Sequence, residues 1–229
     1  MFQLNVFSQI DTFFYVPPIL KFTRDLPELN NVRFLFSTEF PSATVTIRST
    51  DGSFTQSVIV QRGEVVTVTM PNNSTINAAY GSQGRSMPSV PRSDIGLTIR
   101  STHPITAIQF QDRANNSDLI TLKGTKGLGT DFYCGSQVNP TNNPTAASND
   151  DLHFIGILAT EDGTSVQVTG NPHPLNGFAT PGTILLQKGQ GIVLRSNTQN
   201  ETIAGTRIQS NKPIAVTSGG NHIRNRAVA

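Results

Sequence analysis

The sequence predicts an all-β protein made of two tandem β-sandwich units that are related by internal duplication. Two observations support this fold class. Charged residues make up only 14 % of the 229 residues, and the chain is rich in Thr, Ser and Asn, with 19 Gly and 14 Pro. Such a composition is typical of many short strands joined by many turns. The second observation is that three sequence segments recur in the same order along the chain.

The repeated segments define the duplication. Each consists of strand-like residues around a turn or a proline, and coincidence does not explain three of them in one order. The pairs are residues 32–47 with 152–168, residues 60–64 with 186–190, and residues 96–107 with 205–216. The copies differ by polar insertions, the longest being residues 72–92 in the first copy and 135–151 in the second. We expect these insertions to be surface loops.

Individual strands are predicted from apolar residues that alternate with polar ones, which is the period of a strand with one buried face. Asp51-Gly52 and Asp162-Gly163 are predicted to be hairpin turns, because glycine tolerates the positive φ that tight turns require. The apolar positions of this pattern are Val45, Ile47, Val58, Val60, Val65, Val66, Val68, Met70, Ile184, Leu186, Ile192 and Leu194. We expect equivalent positions such as Val45 and Val166, or Pro104 and Pro213, to superpose.

The domain boundary is expected near residue 123. Residues 1–123 would form the first repeat with an N-terminal arm, and residues 124–229 the second repeat. The arm, Met1 to Val16, is apolar, but Gln3, Asn5 and Asp11 are among the polar residues that interrupt it. It therefore does not read as a signal peptide. We expect it to pair with a sheet edge, either within its own chain or by strand exchange with a neighbouring subunit.

Composition and charge exclude several functional classes. The formal charge is +2 and is spread thinly, so the concentrated basic patch that nucleic-acid binding requires is absent from the sequence. No stretch of 18 apolar residues is present, which argues against membrane insertion. The single cysteine, Cys134, cannot form an intrachain disulfide. A single cysteine is consistent with a bacterial, viral or Cys-poor invertebrate surface protein, and the count alone is equally consistent with a cytosolic protein.

Residues that could carry chemistry have a structural explanation in each case. Cys134 follows a strand-like segment, and no histidine is tied to it by sequence, so we interpret it as a half-buried packing residue. The acidic groups 149–151 and 161–162 are separated by a strand of about 26 Å, at ~3.3 Å per residue, which disfavours one shared calcium site. The Gly-rich run 124–130 precedes strand-like residues rather than a helix, so it predicts a connection and not a phosphate loop.

We therefore predict no catalytic residues, no cofactor and no metal site. Four Asn-X-Ser/Thr sequons are the candidate modification sites, and all lie in expected loops. They begin at Asn72, Asn73, Asn115 and Asn200.

Three segments carry a family resemblance. These segments are residues 128–133 (Leu-Gly-Thr-Asp-Phe-Tyr), residues 158–166 around Thr-Glu-Asp-Gly-Thr, and residues 210–221 around Asn-Lys-Pro-Ile-Ala-Val. Together they resemble the N-terminal domain of the IgG Fc-binding protein family, over roughly residues 30–225. The resemblance implies a module of secreted or surface proteins that are adhesive or mucus-associated, with no catalytic residues to transfer.

The resulting functional hypothesis is a non-catalytic extracellular or cell-surface module for binding or adhesion, in a filament or matrix. Its partner would be a protein or glycan ligand, or another copy through strand exchange, and neither nucleic acid nor a membrane. The alternative is a structural protein of a virion or tail fibre, which would assemble in the same ordered way. An enzyme would need catalytic groups that converge on one cleft, and the sequence places none to do so.

Overall fold

The computed structural model describes residues 9–20, 31–70, 89–112, 118–136, 152–198 and 201–220, and these form two antiparallel sheets. The first sheet contains β1 (Ile10–Val16), β2 (Asn31–Ser37), β3 (Ser42–Ser49), β4 (Thr55–Gln61), β5 (Val66–Thr69), β6 (Leu97–Asp112) and β7 (Asp118–Thr121). The second contains β8 (Gly129–Tyr133), β9 (His153–Ala159), β10 (Thr164–Thr169), β11 (Gly182–Leu186), β12 (Gly191–Arg195) and β13 (Arg207–Gly220). The expected all-β fold of two units is confirmed.

Apart from β7, which has no counterpart, the two sheets have the same topology and the same register, which confirms the internal duplication. The strand order is β4-β3-β6-β2-β5 in the first sheet and β11-β10-β13-β9-β12 in the second. Val45 pairs with Ser101, and its counterpart Val166 pairs with Ser210. Likewise, Phe36 lies opposite Ala107 and Ile157 lies opposite Val216. Since a slip of one residue would reverse the buried face, the shared register preserves the same core positions in both units.

The longest strand of each unit bends and belongs to both layers of its sandwich. The first half of β6 pairs with β3, and the second half pairs with β2. Strand β13 divides its partners β10 and β9 in the same way. The bends lie at residues 102–104 and 211–213, between the two paired halves. A strand that changes sheets at a bend makes a corner of the sandwich.

Proline and nearby hydroxyl groups stabilise each bend. Pro104 and Pro213 have no N–H to donate, so they fit where the ladder is interrupted. The Thr38 hydroxyl donates a hydrogen bond of 2.9 Å to the Pro104 carbonyl oxygen, and the Thr160 hydroxyl donates one of 2.6 Å to that of Pro213. Ser210 also donates to the Lys212 carbonyl oxygen, as Ser101 does to that of His103. The expected equivalence of the two prolines is therefore confirmed in detail.

Both expected turns are present, but only one is a hairpin. Asp51-Gly52 joins the paired strands β3 and β4, whereas Asp162-Gly163 joins β9 and β10, which lie on either side of β13 and do not pair, so the hairpin prediction is wrong there. Gly52 and Gly163 have φ of 77° and 64°, so each supplies the left-handed conformation that the turn requires. The Asp51 carboxylate accepts a 3.0 Å hydrogen bond from the Ser53 backbone N–H, and the Asp162 carboxylate accepts one of 2.9 Å from that of Lys188. The acidic residues at these turns therefore bond the backbone.

The described part of the N-terminal arm is strand β1, which pairs antiparallel with β6 of its own chain. Of the two expected pairings of the arm, Ile10–Val16 therefore shows pairing within its own chain. Residues 1–8 lie outside the described residues. Strand β8 pairs with β13 as β1 pairs with β6: Phe14 faces Ile99, and Phe132 faces Ile208. Strand β1 is therefore a strand of the repeat rather than an addition to it.

The two units meet along strand β9, all seven residues of which are buried. Ile155, Ile157 and Ala159 lie in the core of the second unit, whereas Phe154 belongs to the core cluster of the first. A two-bond backbone bridge between Arg92 and Gly191, with N···O distances of 2.9 and 2.8 Å, joins the units beside it. The domain boundary at 123–124 remains a proposal. The nearby turn Gly124–Gly127 is bonded to the first unit, because the Asp11 carboxylate accepts a 2.8 Å bond from the Thr125 N–H.

We predict that Gly156→Ala destabilises the protein by about 1–3 kcal/mol, the usual cost of overpacking a core. A Cβ at Gly156 would overlap the Pro18 carbonyl oxygen, and that oxygen belongs to the backbone, so the junction must shift. Urea unfolding measures the change. Gly135→Ala is the control, because no atom lies within 4 Å of its added Cβ. Equal midpoints for the two variants would show that the units do not touch at Gly156.

Candidate binding surfaces

The acidic and Gly-rich segments take part in turns and connections of the fold. Among the described residues, no group of three or more His, Cys, Asp or Glu side chains could hold a metal ion. The Asp162 carboxylate accepts a hydrogen bond from the Lys188 N–H of the neighbouring turn, and Asp150 and Asp151 lie outside the described residues. The Gly-rich run contains a short 3-10 turn, Gly124–Gly127, whose Thr125 N–H already binds the Asp11 carboxylate.

Cys134 is buried, as the sequence predicted. Its side chain is 5 % exposed and packs in the core of the second unit. Burial raises the pKa of the thiol to about 11, which disfavours the nucleophilic thiolate. Its backbone continues the edge of the sheet, since the Cys134 N–H donates to the Thr206 carbonyl oxygen at 2.9 Å. Cys134 is therefore a packing residue.

One polar pair was missed by the sequence analysis. Ser136 Oγ and His153 Nδ1 lie 2.6 Å apart, and the imidazole is 3 % exposed. Burial lowers the pKa of His153, so the ring is held neutral at physiological pH. The His153 backbone is also bonded to Ser196, in both directions. A buried ring cannot meet a substrate, so we interpret this pair as a fastening between β9, β12 and the chain after β8.

The most exposed aromatic group of the described chain lies on the outer face of β8. Tyr133 is 68 % exposed, and the guanidinium carbon of Arg207 lies 5.4 Å from its ring centroid. Arg207 donates two hydrogen bonds to the Asp131 carboxylate, with N···O distances of 2.9 and 2.5 Å. The ion pair lowers the pKa of Asp131 and raises that of Arg207. We call residues Asp131, Tyr133 and Arg207 the tyrosine cluster.

The first unit has a related aromatic cluster on β1. Tyr15 is the counterpart of Tyr133, because Tyr15 lies opposite Thr98 and Tyr133 lies opposite Arg207 in equivalent registers. Phe13 packs edge-on against Tyr15 with ring centroids 4.9 Å apart, and Arg100 lies 4.9 Å from the Phe13 centroid. The surroundings differ, however. Tyr15 lines a cavity of about 280 Å³ between the units, and burial raises its pKa.

A second surface feature lies at the bend of β6. A pocket of about 360 Å³, mostly apolar, is lined by Ile10, Thr38, Phe40, Pro104 and Thr106, among others. The exposed Phe40 ring stacks on His103 with centroids 5.0 Å apart. In the second unit, the amine of Lys212, the counterpart of His103, instead bonds the Asp162 carbonyl oxygen. The pocket is therefore a feature of the first unit and not of the repeat.

The four sequons at Asn72, Asn73, Asn115 and Asn200 lie outside the described residues, so their use stays a prediction. Within the described part of the chain, no helix is long and apolar enough to cross a membrane.

One family model matches part of the chain. Residues 117–227 match the family model described as IgGFc binding protein, which confirms the predicted resemblance for the second half of the chain, while its expected extension back to about residue 30 is not matched. The match spans β7 to β13 and includes the tyrosine cluster. Comparisons with curated proteins and with solved structures give no match.

We predict that Cys134→Ser lowers the free energy of unfolding by about 1–2 kcal/mol, because a hydroxyl replaces a weakly polar group in the core. In the native wild type, the thiol should resist iodoacetamide at pH 8 and react once urea unfolds the chain, since its pKa is about 11. Mass spectrometry of the alkylated protein checks this. Rapid alkylation of the folded protein would show that the cysteine is reactive.

We predict that His153 makes the protein less stable in mild acid. The unfolded chain titrates near the usual histidine pKa of about 6.5, whereas burial lowers the pKa of the folded ring. Below pH 6.5 the unfolded state therefore binds more protons, and the free energy of unfolding falls as the pH drops. Urea unfolding from pH 7 to 5 measures this slope. His153→Gln should flatten it, whereas the control His173→Gln, at an exposed position, should leave it unchanged.

Proposed function

We propose that this chain is a non-catalytic extracellular binding module, because residues 117–227 match the model of the IgGFc binding protein family. Its recognition surface would be the tyrosine cluster, and its ligand a protein. The observation that carries the proposal is an exposed tyrosine stacked by an arginine that a carboxylate already holds in position.

The chemistry of the tyrosine cluster suits protein recognition. Tyrosine and arginine are the residues that contribute most often to the affinity of protein interfaces. Tyr133 offers a large apolar ring with a polar hydroxyl, and most of its side chain is exposed before any partner arrives. Arg207 is oriented in advance by two bonds to Asp131, so less conformational entropy is lost when a ligand binds.

The shape of the surface favours a protein over a glycan. The cluster lies on the outer face of the β8–β13 edge, on paired backbone and not in a groove. Buried Cys134 and His153 are unsuited to catalysis, which supports a role in binding.

A binding module with this architecture suits adhesion or a place in a secreted filament or matrix. Low charge and a neutral polar surface limit non-specific electrostatic contacts, and the long polar insertions add further recognition surface. Glycans on Asn72, Asn73, Asn115 or Asn200 would fit the same extracellular setting.

The test uses the Fc fragment of IgG, the ligand that the family description names. We expect saturable binding of this fragment to the immobilised chain in surface plasmon resonance. Tyr133→Ala should weaken it at least tenfold, as truncation of an interface anchor typically does. Leu185→Ala is the control, because Leu185 is equally exposed at 68 % on the same unit.

A glycan array provides the opposing result. Saturable glycan binding without Fc binding would overturn the assignment of a protein ligand. Fc binding that Tyr133→Ala and Leu185→Ala weaken equally would remove the tyrosine cluster from the site.

A further inference from the structure

The two repeats of the chain pack against each other. On the second unit, this interface is formed by one face of its sheet, the receiving face. The outward face of β9, β12 and the second half of β13 contacts the first unit there. Its members are Gly156, Leu158, Gly191, Ala215 and Thr217. Gly156 lies against the Pro18 carbonyl oxygen, Leu158 against Gly96, and Gly191 against Ile95 and Pro18.

The first unit supplies the opposite side with the end of β1 and the residues after it. Tyr15 and Pro17 line the junction cavity together with Ala215 and Thr217. Pro18 lies over the two glycines. The interface is therefore asymmetric: the β1 end of one unit packs on the β9 face of the next.

The receiving face has a counterpart on the first unit that is not covered in the same way. The shared register makes Leu35, Val65, Thr106 and Ile108 the counterparts of Gly156, Gly191, Ala215 and Thr217. We call these four residues the acceptor face. Val65 is 65 % exposed, and the other three side chains are half-buried. Strand β9 is buried on both faces, whereas the described side chains of its counterpart β2 alternate between buried and half-buried.

The supplying side likewise has a counterpart on the second unit. Tyr133 corresponds to Tyr15, and the residues that follow in the same spacing, Gly135 and Ser136, correspond to Pro17 and Pro18. We call Tyr133, Gly135 and Ser136 the donor face, in which the Ser136 hydroxyl is already bonded to His153 of its own unit. Tyr133 and Gly135 are exposed and Ser136 is half-buried. Both halves of the internal interface thus have a second copy, one on each unit.

The sizes of the side chains on the donor and acceptor faces are complementary, as they are in the interface within the chain. Within the chain, bulky Pro17 and Pro18 meet small Gly156 and Gly191. In the second set, small Gly135 and Ser136 would meet bulky Leu35 and Val65. The tyrosine is retained, and the acceptor face consists of aliphatic and threonine side chains. Such a surface suits an aromatic anchor and its self-neutralised Asp131–Arg207 pair.

We infer that the chain associates head to tail with further copies of itself, the donor face of one copy packing on the acceptor face of the next. The contact repeats the packing between the two units of one chain, so it is heterologous and leaves a free face at each end. The product is a linear assembly without exchanged strands. The inference rests on the proposed function in that it uses Tyr133, and it names a second copy as a partner of this surface.

Sedimentation velocity of the full chain tests the inference across a hundredfold range of concentration. We expect the wild type to form dimers and longer species as concentration rises. Tyr133→Ala impairs only the donor face and Val65→Glu only the acceptor face, so each variant alone should remain monomeric. Leu185→Glu is the matched control, since it adds the same charge at an equally exposed position and should associate like the wild type.

Mixing the two variants gives the decisive result. The intact acceptor face of Tyr133→Ala and the intact donor face of Val65→Glu can still meet, so the mixture should form dimers that grow no further. A wild type that is monomeric throughout would overturn the inference, as would association that Leu185→Glu abolishes or that the mixture fails to restore.

The Fc measurement separates this inference from the proposed function. Val65→Glu should lose self-association and keep Fc binding. Self-association without Fc binding would contradict the proposed function and support the head-to-tail contact. Fc binding by a chain that stays monomeric would support the proposed function and contradict the head-to-tail contact.

Discussion

The bend in the longest strand of each unit is the constraint on which the architecture depends. Strand β6 must pair with β3 over its first half and with β2 over its second, and a straight strand cannot serve both layers of a sandwich. Pro104 and Pro213 interrupt the ladder at this point, and Thr38 and Thr160 satisfy the carbonyl oxygens that the bend exposes. The pocket beside Phe40 is a direct product of this corner. The direction in which β1 and β8 leave the sheet also follows from it, since the register of each shifts at the bend.

Much of this fold could be predicted from sequence because duplication repeats local patterns. The alternation of Val45 and Ile47 identifies a buried face, and Asp-Gly pairs identify turns, since both signals come from neighbouring residues. The sequence did not reveal that β8 in the second unit is equivalent to β1 in the first, although both contain a Phe-Tyr pair, at residues 14–15 and 132–133. That dipeptide is the one signal that could have revealed the equivalence.

The candidate sites were beyond the reach of sequence for a different reason. Tyr133 and Arg207 meet only because β8 and β13 are adjacent in a particular register, and local patterns carry no information about that pairing. The Ser136–His153 pair likewise joins two segments across the end of a sandwich. The burial of Cys134 was predictable, because a small apolar residue at the end of a strand has an ordinary explanation.

Strand β9 couples the stability of the two units, because it contributes to both of their cores. One of its faces completes the core of the second unit and the other meets the first, so neither unit keeps its full core if β9 detaches. The matched region 117–227, cut from the chain, would therefore expose Phe154 and Leu158 to water. Burying such side chains contributes about 1.5–3 kcal/mol each. The two units should consequently lose their structure in one cooperative transition, and a pulling force applied to one end would be borne by both.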